Sequence, residues 1–419
     1  MNCRRLPAAL LLAIGIPCSS YAGAADLSLE ARRADFETLA NAIAEDYVYL
    51  DGKRGSWSTV RERYLSRVEA ASTADAWAAV IEDALSELHD FHIGVRPGSA
   101  HRWLPVPTDA DLWAVPEGGI ARITAVRAGS DAARARIAVG DRIESIGGIA
   151  VASAIDARLG PAVSSNDPSN RQWALLSLVT GRREESREFT VSRAGGAPRA
   201  IKLPVLRSFE RPGGPLTSSR TPEGFGLVRL NNSLGDMETI AAFDAALTSL
   251  RDTRALILDL RDTPSGGNSA VALGILGRFA ASRVPYQRHR IPRYGRPDVE
   301  RNWQEEVAPR GPFTYRGRLV VLVDHWTGSM GEGMAIGLDA MRRATVIGTT
   351  MGQLAGATAD VALPRTGLTV ALPMEELFHV NGTPRHRWAP PIIIAPAPGD
   401  GDPILARART LLNAAPIAR

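Results

Sequence analysis

The chain has 419 residues, enough for two or three domains, and its 45% hydrophobic content with 39 glycines and 28 prolines describes a folded, loop-rich protein and excludes a disordered one. Basic residues exceed acidic ones only by 49 to 45. Nearly all are arginine, scattered without a run or an aromatic-interleaved stripe, which argues against a nucleic-acid partner.

Residues 1–24 read as a secretory signal: Arg4 and Arg5 form the charged start, Leu6 to Pro17 the apolar core, and Ala22-Gly23-Ala24 the cleavage site. The core is too short to span a bilayer, so no stable membrane span is expected and the predicted destination is the bacterial periplasm. Both cysteines, Cys3 and Cys18, fall in this segment, which leaves the mature chain without thiol or disulfide chemistry. Residues 25–100 are expected to form an N-terminal helical bundle. Phe36, Leu39, Ile43 and Tyr47 recur at three to four residues, and Trp77, Val80, Ile81, Ala84, Leu85 and Leu88 continue the pattern.

Residues 101–210 form the next predicted unit. Ile120 to Val126 reads as a strand, Gly129-Ser130 opens a short helix, Gly140-Asp141 turns into a strand at Arg142 to Ile146, and Gly147-Gly148 makes a hairpin turn. This run resembles a PDZ domain of the bacterial protease type. In place of the usual Gly-Leu-Gly-Phe loop it offers Glu117-Gly118-Gly119-Ile120. The resemblance implies an inserted PDZ-like domain that takes up peptide by adding it as a strand to its sheet. Arg182 to Glu188 reads as a charged, solvated turn and Ser208 to Pro222 as a linker.

Residues 211–419 alternate strands and helices, an α/β pattern. Strands are predicted at Gly226–Leu230, Ala255–Leu260, Leu319–Val323 and Ala344–Gly348, and helices at Met237–Leu250, Ser269–Ala280 and Ser329–Arg342. Ser329 stands where a strand runs into a helix. Such a serine has an exposed hydroxyl and free helix N–H groups beside it, which suits a nucleophile whose reaction creates negative charge; taken alone, most serines at such a junction are helix caps. In order, Thr327-Gly328-Ser329-Met330-Gly331-Glu332, then Arg343-Ala344-Thr345-Val346-Ile347-Gly348, then Thr350-Met351-Gly352 resemble the nucleophile region of the C-terminal processing (tail-specific) serine peptidases and their tricorn-like relatives.

The resemblance implies a crotonase/ClpP-like spiral catalytic domain and a serine endopeptidase that acts on peptides or proteins through an acyl-enzyme on Ser329. It also implies a lysine base directly after the last glycine, where Gln353 stands. The two lysines of the chain, Lys53 and Lys202, lie in its first half, so a Ser–Lys dyad is excluded. Among the seven histidines, His92 is the expected base: Leu88-His89-Asp90-Phe91-His92 resembles the Leu-x-Asp-x-His element of tricorn-like members. His379 is the runner-up, and His325 sits on an extended segment that keeps it from reaching Ser329. Asp259-Leu260-Arg261 followed by Gly266-Gly267 resembles the family's oxyanion loop with one extra residue, and with the residue after the nucleophile it implies Gly266 or Gly267 and Met330 as N–H donors. The family's late glutamate has no counterpart in Arg385 to Ile392, which leaves Glu375, Glu376 and Asp90 as candidate acids.

The glycines at 331, 333 and 337 imitate a dinucleotide loop with the wrong spacing and no ribose-binding acid after the next strand. The residues around Ser329 also miss the Gly-x-Ser-x-Gly elbow. No cofactor is implied, and no cluster has metal-ligand spacing. The rival expectation is a catalytically inactive peptide- or lipid-binding protein on the same scaffold, favoured by the missing lysine and the unplaced acid.

Overall fold

The computed structural model describes residues 26–51, 54–160, 167–193, 196–206, 209, 213–292, 300–395 and 401–414. The expected signal segment and Lys53 lie outside the described residues, as do 208 and 210–212 of the expected linker.

The chain opens with helices α1 (Leu29–Asp46), α2 (Arg54–Ala70) and α3 (Ala74–Ser86), followed by the short strand β1 (Gly94–Arg96). Ser28 and Thr73 cap α1 and α3 by accepting the N–H groups of Ala31 and Ala76. A second unit follows: β2 (Leu112–Glu117), β3 (Ile120–Val126), α4 (Asp131–Arg134), β4 (Arg142–Ile146), β5 (Ile149–Ala150), α5 (Val151–Leu159), α6 (Pro168–Thr180), β6 (Arg187–Ser192) and β7 (Arg199–Leu203). Its sheet runs β2-β3-β4-β6-β7, with β5 paired to β4, and every pairing is antiparallel. The free edge of β2 is covered by α6: Gln172 donates to the Ala114 carbonyl, and Trp173, Leu175, Leu176 and Val179 share a core with Leu112 and Ala114. Past Ala114 the end of β2 lines a cavity with α5 and α6, bordered by Val115 to Ile120, Val151, Ile155, Arg171 and Gln172.

The remaining elements are β8 (Leu216–Arg220), β9 (Gly226–Leu230), α7 (Glu238–Ser249), β10 (Ala255–Asp259), α8 (Ser269–Leu276), β11 (Val284–Ile291), β12 (Arg301–Val307), β13 (Arg318–Val323), α9 (Met330–Ala340), β14 (Thr345–Gly348), β15 (Ala357–Leu363), β16 (Leu368–Phe378), a 3₁₀ turn at Arg385–Arg387, β17 (Ile392–Ile393) and α10 (Pro403–Asn413). One sheet runs β17-β14-β13-β10-β9-β8, parallel except for β8. Its central strands read as unbroken apolar runs because both faces are covered. A third, antiparallel sheet runs β1-β16-β11-β12, with β15 on the other side of β16.

Two expectations are corrected. Part of the predicted linker is strand β8, paired with β9 over Leu216 to Arg220. Arg187, read as part of a solvated turn, is buried: its guanidinium donates to both oxygens of the fully buried Asp111 at 2.6 and 2.9 Å.

The third sheet brings the two ends of the chain together. Gly94 to Arg96 of β1 pair with Ala371 to Thr369 of β16. Above that pairing, Phe36, Leu39, Ile43, Trp77, Ile81 and Leu85 share one core with Val361, Leu363, Val370 and Leu372. The helices therefore pack on the β15–β16 hairpin, and the loop just before β1, which carries His92, is held over the start of α9.

Candidate active site

Strand β13 ends at Val323, and Asp324 to Gly328 turn the chain into α9. Three contacts fix that turn. Trp326 Nε1 donates to the Ala110 carbonyl at 2.6 Å, Thr327 Oγ1 donates to the Leu260 carbonyl at 3.1 Å, and Gly328 packs so closely on Pro264 that a Cβ there would sit 2.5 Å from its carbonyl oxygen. Ser329 follows with φ +48° and ψ −109°, a conformation that costs on the order of 1–3 kcal/mol for a residue with a Cβ. Its N–H donates to Glu332 Oε2 at 2.8 Å, and its Oγ lies 3.1 Å from His92 Nε2.

The two side chains come from positions 237 residues apart. His92 Nδ1 lies 2.8 Å from the Ala355 carbonyl oxygen. A carbonyl only accepts, so the Nδ1 proton is fixed there and Nε2 is left with a lone pair facing the serine. Burial of the imidazole and the nearby Arg385 charge both lower its pKa, against smaller opposing effects of the Ala355 and Gly356 backbone and Asp90. The ring is accordingly held neutral, the form that accepts a proton.

None of the three candidate acids reaches that ring. Asp90 accepts the His92 backbone N–H at 2.9 Å through Oδ1 and the Tyr47 hydroxyl at 2.9 Å through Oδ2, so it shapes the loop. Glu375 pairs with His289, and Glu376 pairs with Arg290. The partner of the imidazole is a main-chain carbonyl, for which no residue type is a signal.

The other histidines are engaged elsewhere. His325 stacks on Trp113 with ring centroids 4.7 Å apart, and burial pushes its pKa down to about 4. His379 Nδ1 accepts the Asn381 N–H, and its Nε2 lies 3.3 Å from Asp339. Gln353 is exposed, with φ +58°, and its N–H donates to Glu332 Oε1 at 2.9 Å. Lys202 lies on β7 beside Glu188.

On the other side of Ser329 lies the loop after β10. Gly266 has φ +62°, and a Cβ there would stand 2.5 Å from Ser329 Cβ and 3.0 Å from the Met330 nitrogen. Its own N–H is used in a turn to the Thr263 carbonyl at 3.2 Å. No hydrogen bond among the described residues uses the N–H of Gly267 or of Met330. Met330 is the first residue of α9, where the helix leaves its donors unsatisfied. The unused Met330 donor, adjoining a hydroxyl in contact with a neutral imidazole, can stabilise an oxygen that gains negative charge, while Gly267 packs on Leu234 one residue beyond the glycine that meets Ser329.

Glu332 was missed as a site residue although it closes the serine-turn pattern. It is fully buried, and burial pushes its pKa up to about 7 despite the Arg385 charge and the N–H groups of Ser329, Leu354 and Gln353. Among the described residues no group of three or more His, Cys, Asp or Glu side chains has the geometry to hold a metal ion. Nor, among them, is any helix long and apolar enough to cross a membrane.

Residues 224–392 match the model of Peptidase family S41. Similar solved structures include mature CPAF complexed with lactacystin (14% identity, 88% of this chain and 94% of that one, TM-score 0.58). Another is the photosystem II D1 C-terminal processing protease (19% identity, 87% of this chain and 93% of that one, TM-score 0.54). At such identities the likeness establishes a common mixed α/β fold. No curated protein matches the chain.

Proposed function

We propose that this chain, whose residues 224–392 match Peptidase family S41, is a serine-type hydrolase that cleaves peptides or proteins by a Ser329–His92 relay. The observation that carries this reading is the 3.1 Å approach of His92 Nε2 to Ser329 Oγ, with the opposite ring nitrogen on a carbonyl. In the proposed cycle His92 Nε2 takes the hydroxyl proton as Oγ bonds to the scissile carbonyl carbon. The carbonyl oxygen becomes an oxyanion facing the N–H groups of Met330 and Gly267, neither of which has a partner among the described residues. Collapse breaks the C–N bond and the amine leaves with the proton from His92; a water deprotonated by His92 then bonds to the acyl carbon, and the C–Oγ bond breaks as Ser329 takes that proton back from His92. Removing one such oxyanion donor costs on the order of 10²–10³ in rate elsewhere.

The unit 112–203 belongs to this reading as a PDZ-like module, and the N-terminal segment as an export signal to the periplasm. With α6 on β2, the module serves as a wall and brace of the catalytic turn, and Trp326 inserted into its core supports that role. A silent binding protein is the second reading. It draws on one observation: a cation, Arg385, stands near His92, where a carboxylate is expected.

A fluorophosphonate probe separates the two. The hydrolase reading predicts labelling that disappears in Ser329→Ala and slows at least about 100-fold in His92→Ala. No labelling of the folded native protein, or labelling that survives Ser329→Ala, sinks it.

A further inference from the structure

The loop 353–356 supplies the carbonyl that orients His92, and it is gripped from both sides by two buried side chains. Glu332 accepts the N–H groups of Gln353 and Leu354 at 2.9 and 3.2 Å with the same carboxylate that accepts the Ser329 N–H. Arg385, 2% exposed, donates from one terminal nitrogen to the carbonyls of Leu354 and Gly356 at 3.0 and 2.6 Å. Between these two carbonyls lies the one from Ala355, which takes the His92 Nδ1 proton. Three successive carbonyls are thus held by two side chains, Arg385 on the outer two and His92 on the middle one, and the peptide planes that carry them cannot rotate independently. Gly356, at φ +64°, has no space for a side chain against Tyr49 and the Glu375 carbonyl.

We propose that Arg385 is a positioning residue of the relay: with Glu332 it locks the 353–356 loop so that the Ala355 carbonyl performs the orienting task usually left to a carboxylate. This rests on the hydrolase reading for its catalytic consequence but not for its structural content. The device has a cost that a carboxylate lacks. A carbonyl carries no charge to stabilise an imidazolium, and the guanidinium beside it opposes one. The charges acting on the ring are Arg385 from the 3₁₀ turn and Asp90 from its own loop; the titratable Glu332 of α9 lies on the far side of the 353–356 loop, and Glu376 of β16 is paired with Arg290. Arg385 therefore has two separable effects on His92, one geometric and one electrostatic, and they push the measured quantities in different directions.

The test uses the full chain with Arg385→Met, Arg385→Lys and Glu332→Gln, read by the ¹⁵N resonances of His92 (assigned by their loss in His92→Asn) and by the rate of fluorophosphonate labelling. Wild type is expected to show the Nδ1–H tautomer in a single state. Arg385→Met is expected to lose that tautomer preference, to titrate His92 at a higher pH because the cation is gone, and to label at least about tenfold more slowly. Arg385→Lys keeps the charge but not the two-carbonyl reach; it is expected to lose rate without the upward shift. Glu332→Gln, which keeps one acceptor oxygen for three donors, is expected to weaken the tautomer preference and leave the Arg385 electrostatic effect in place. An unchanged His92 tautomer and titration in Arg385→Met overturns the proposal. If that variant does not fold, Arg385→Lys with a wild-type tautomer and a wild-type rate overturns it as well. A chain that never labels but shows the predicted tautomer changes refutes the hydrolase reading while keeping the positioning role.

Discussion

Gln353 stands where a Ser–Lys enzyme carries its base, yet its side chain is exposed and its backbone is held at φ +58° by Glu332. A lysine there is aimed at water. Gln353→Lys is accordingly expected to leave the labelling rate of Ser329 unchanged and to give no rescue in a His92→Ala background; recovery of labelling in the double variant contradicts the geometry. Gly266 is the opposite case, a position with no freedom. An alanine there meets Ser329 and Met330 and is strained at φ +62°. Gly266→Ala is expected to lose about 1–3 kcal/mol of stability and to slow labelling well beyond what that loss explains, checked by denaturant melts beside labelling rates. At this scale Ser329 and His92 are legible in the sequence only through their surroundings, the Thr327-Gly328-Ser329 turn after an apolar strand and the Leu88-His89-Asp90-Phe91-His92 element, since each turn also carries other polar side chains. The imidazole's partner is hidden, since every residue has a carbonyl. Arg385 is hidden too, because a search for an acid passes over a cation that acts on two nearby backbone carbonyls.

At the scale of elements, the junction between β13 and α9 is set by Glu332, a carboxylate buried at 1% exposure with three N–H donors on it. Its folded pKa of about 7 lies above the ordinary 4.5. The folded state therefore holds the proton more tightly than the unfolded chain, and its stabilising contribution, full below about pH 4.5, is lost as pH rises through about 7. Compared with Glu332→Gln, wild-type stability is expected to fall between pH 4.5 and 7 by up to about 3 kcal/mol; a pH-independent difference in urea midpoints contradicts this. The strands of the parallel sheet are legible in the sequence, where short apolar runs have nowhere to go but a doubly covered sheet. Strand β8 is not. Its Thr-Ser-Ser-Arg composition is that of a loop, and it forms because β9 offers an open edge. Arg187 is misread for a related reason: its partner, Asp111, lies 76 residues away.

For the whole molecule, catalysis as proposed depends on parts that are remote in the chain. The helices hold β16 and the His92 loop through one shared core, while the 112–203 unit holds both site loops. Trp326 enters its core, and Arg127 Nε donates to Asp262, on the loop that leads to Gly266, at 3.0 Å. Arg127→Ala, which leaves Asp262 without that partner, is expected to cost about 1–3 kcal/mol and to slow labelling while the helical signal in circular dichroism stays intact. Unaltered labelling shows that the unit does not brace the loop. No reading of a single segment reveals this dependence, because each half of the relay is an ordinary turn until the third sheet joins β1 to β16. The most direct test of the account is a crystal structure of the phosphonylated protein. It is expected to show phosphorus on Ser329 Oγ, the phosphonyl oxygen within hydrogen-bond reach of the Met330 and Gly267 nitrogens, and His92 still on the Ala355 carbonyl. A phosphonyl oxygen turned to solvent, with His92 beyond hydrogen-bond reach of the adduct, contradicts it.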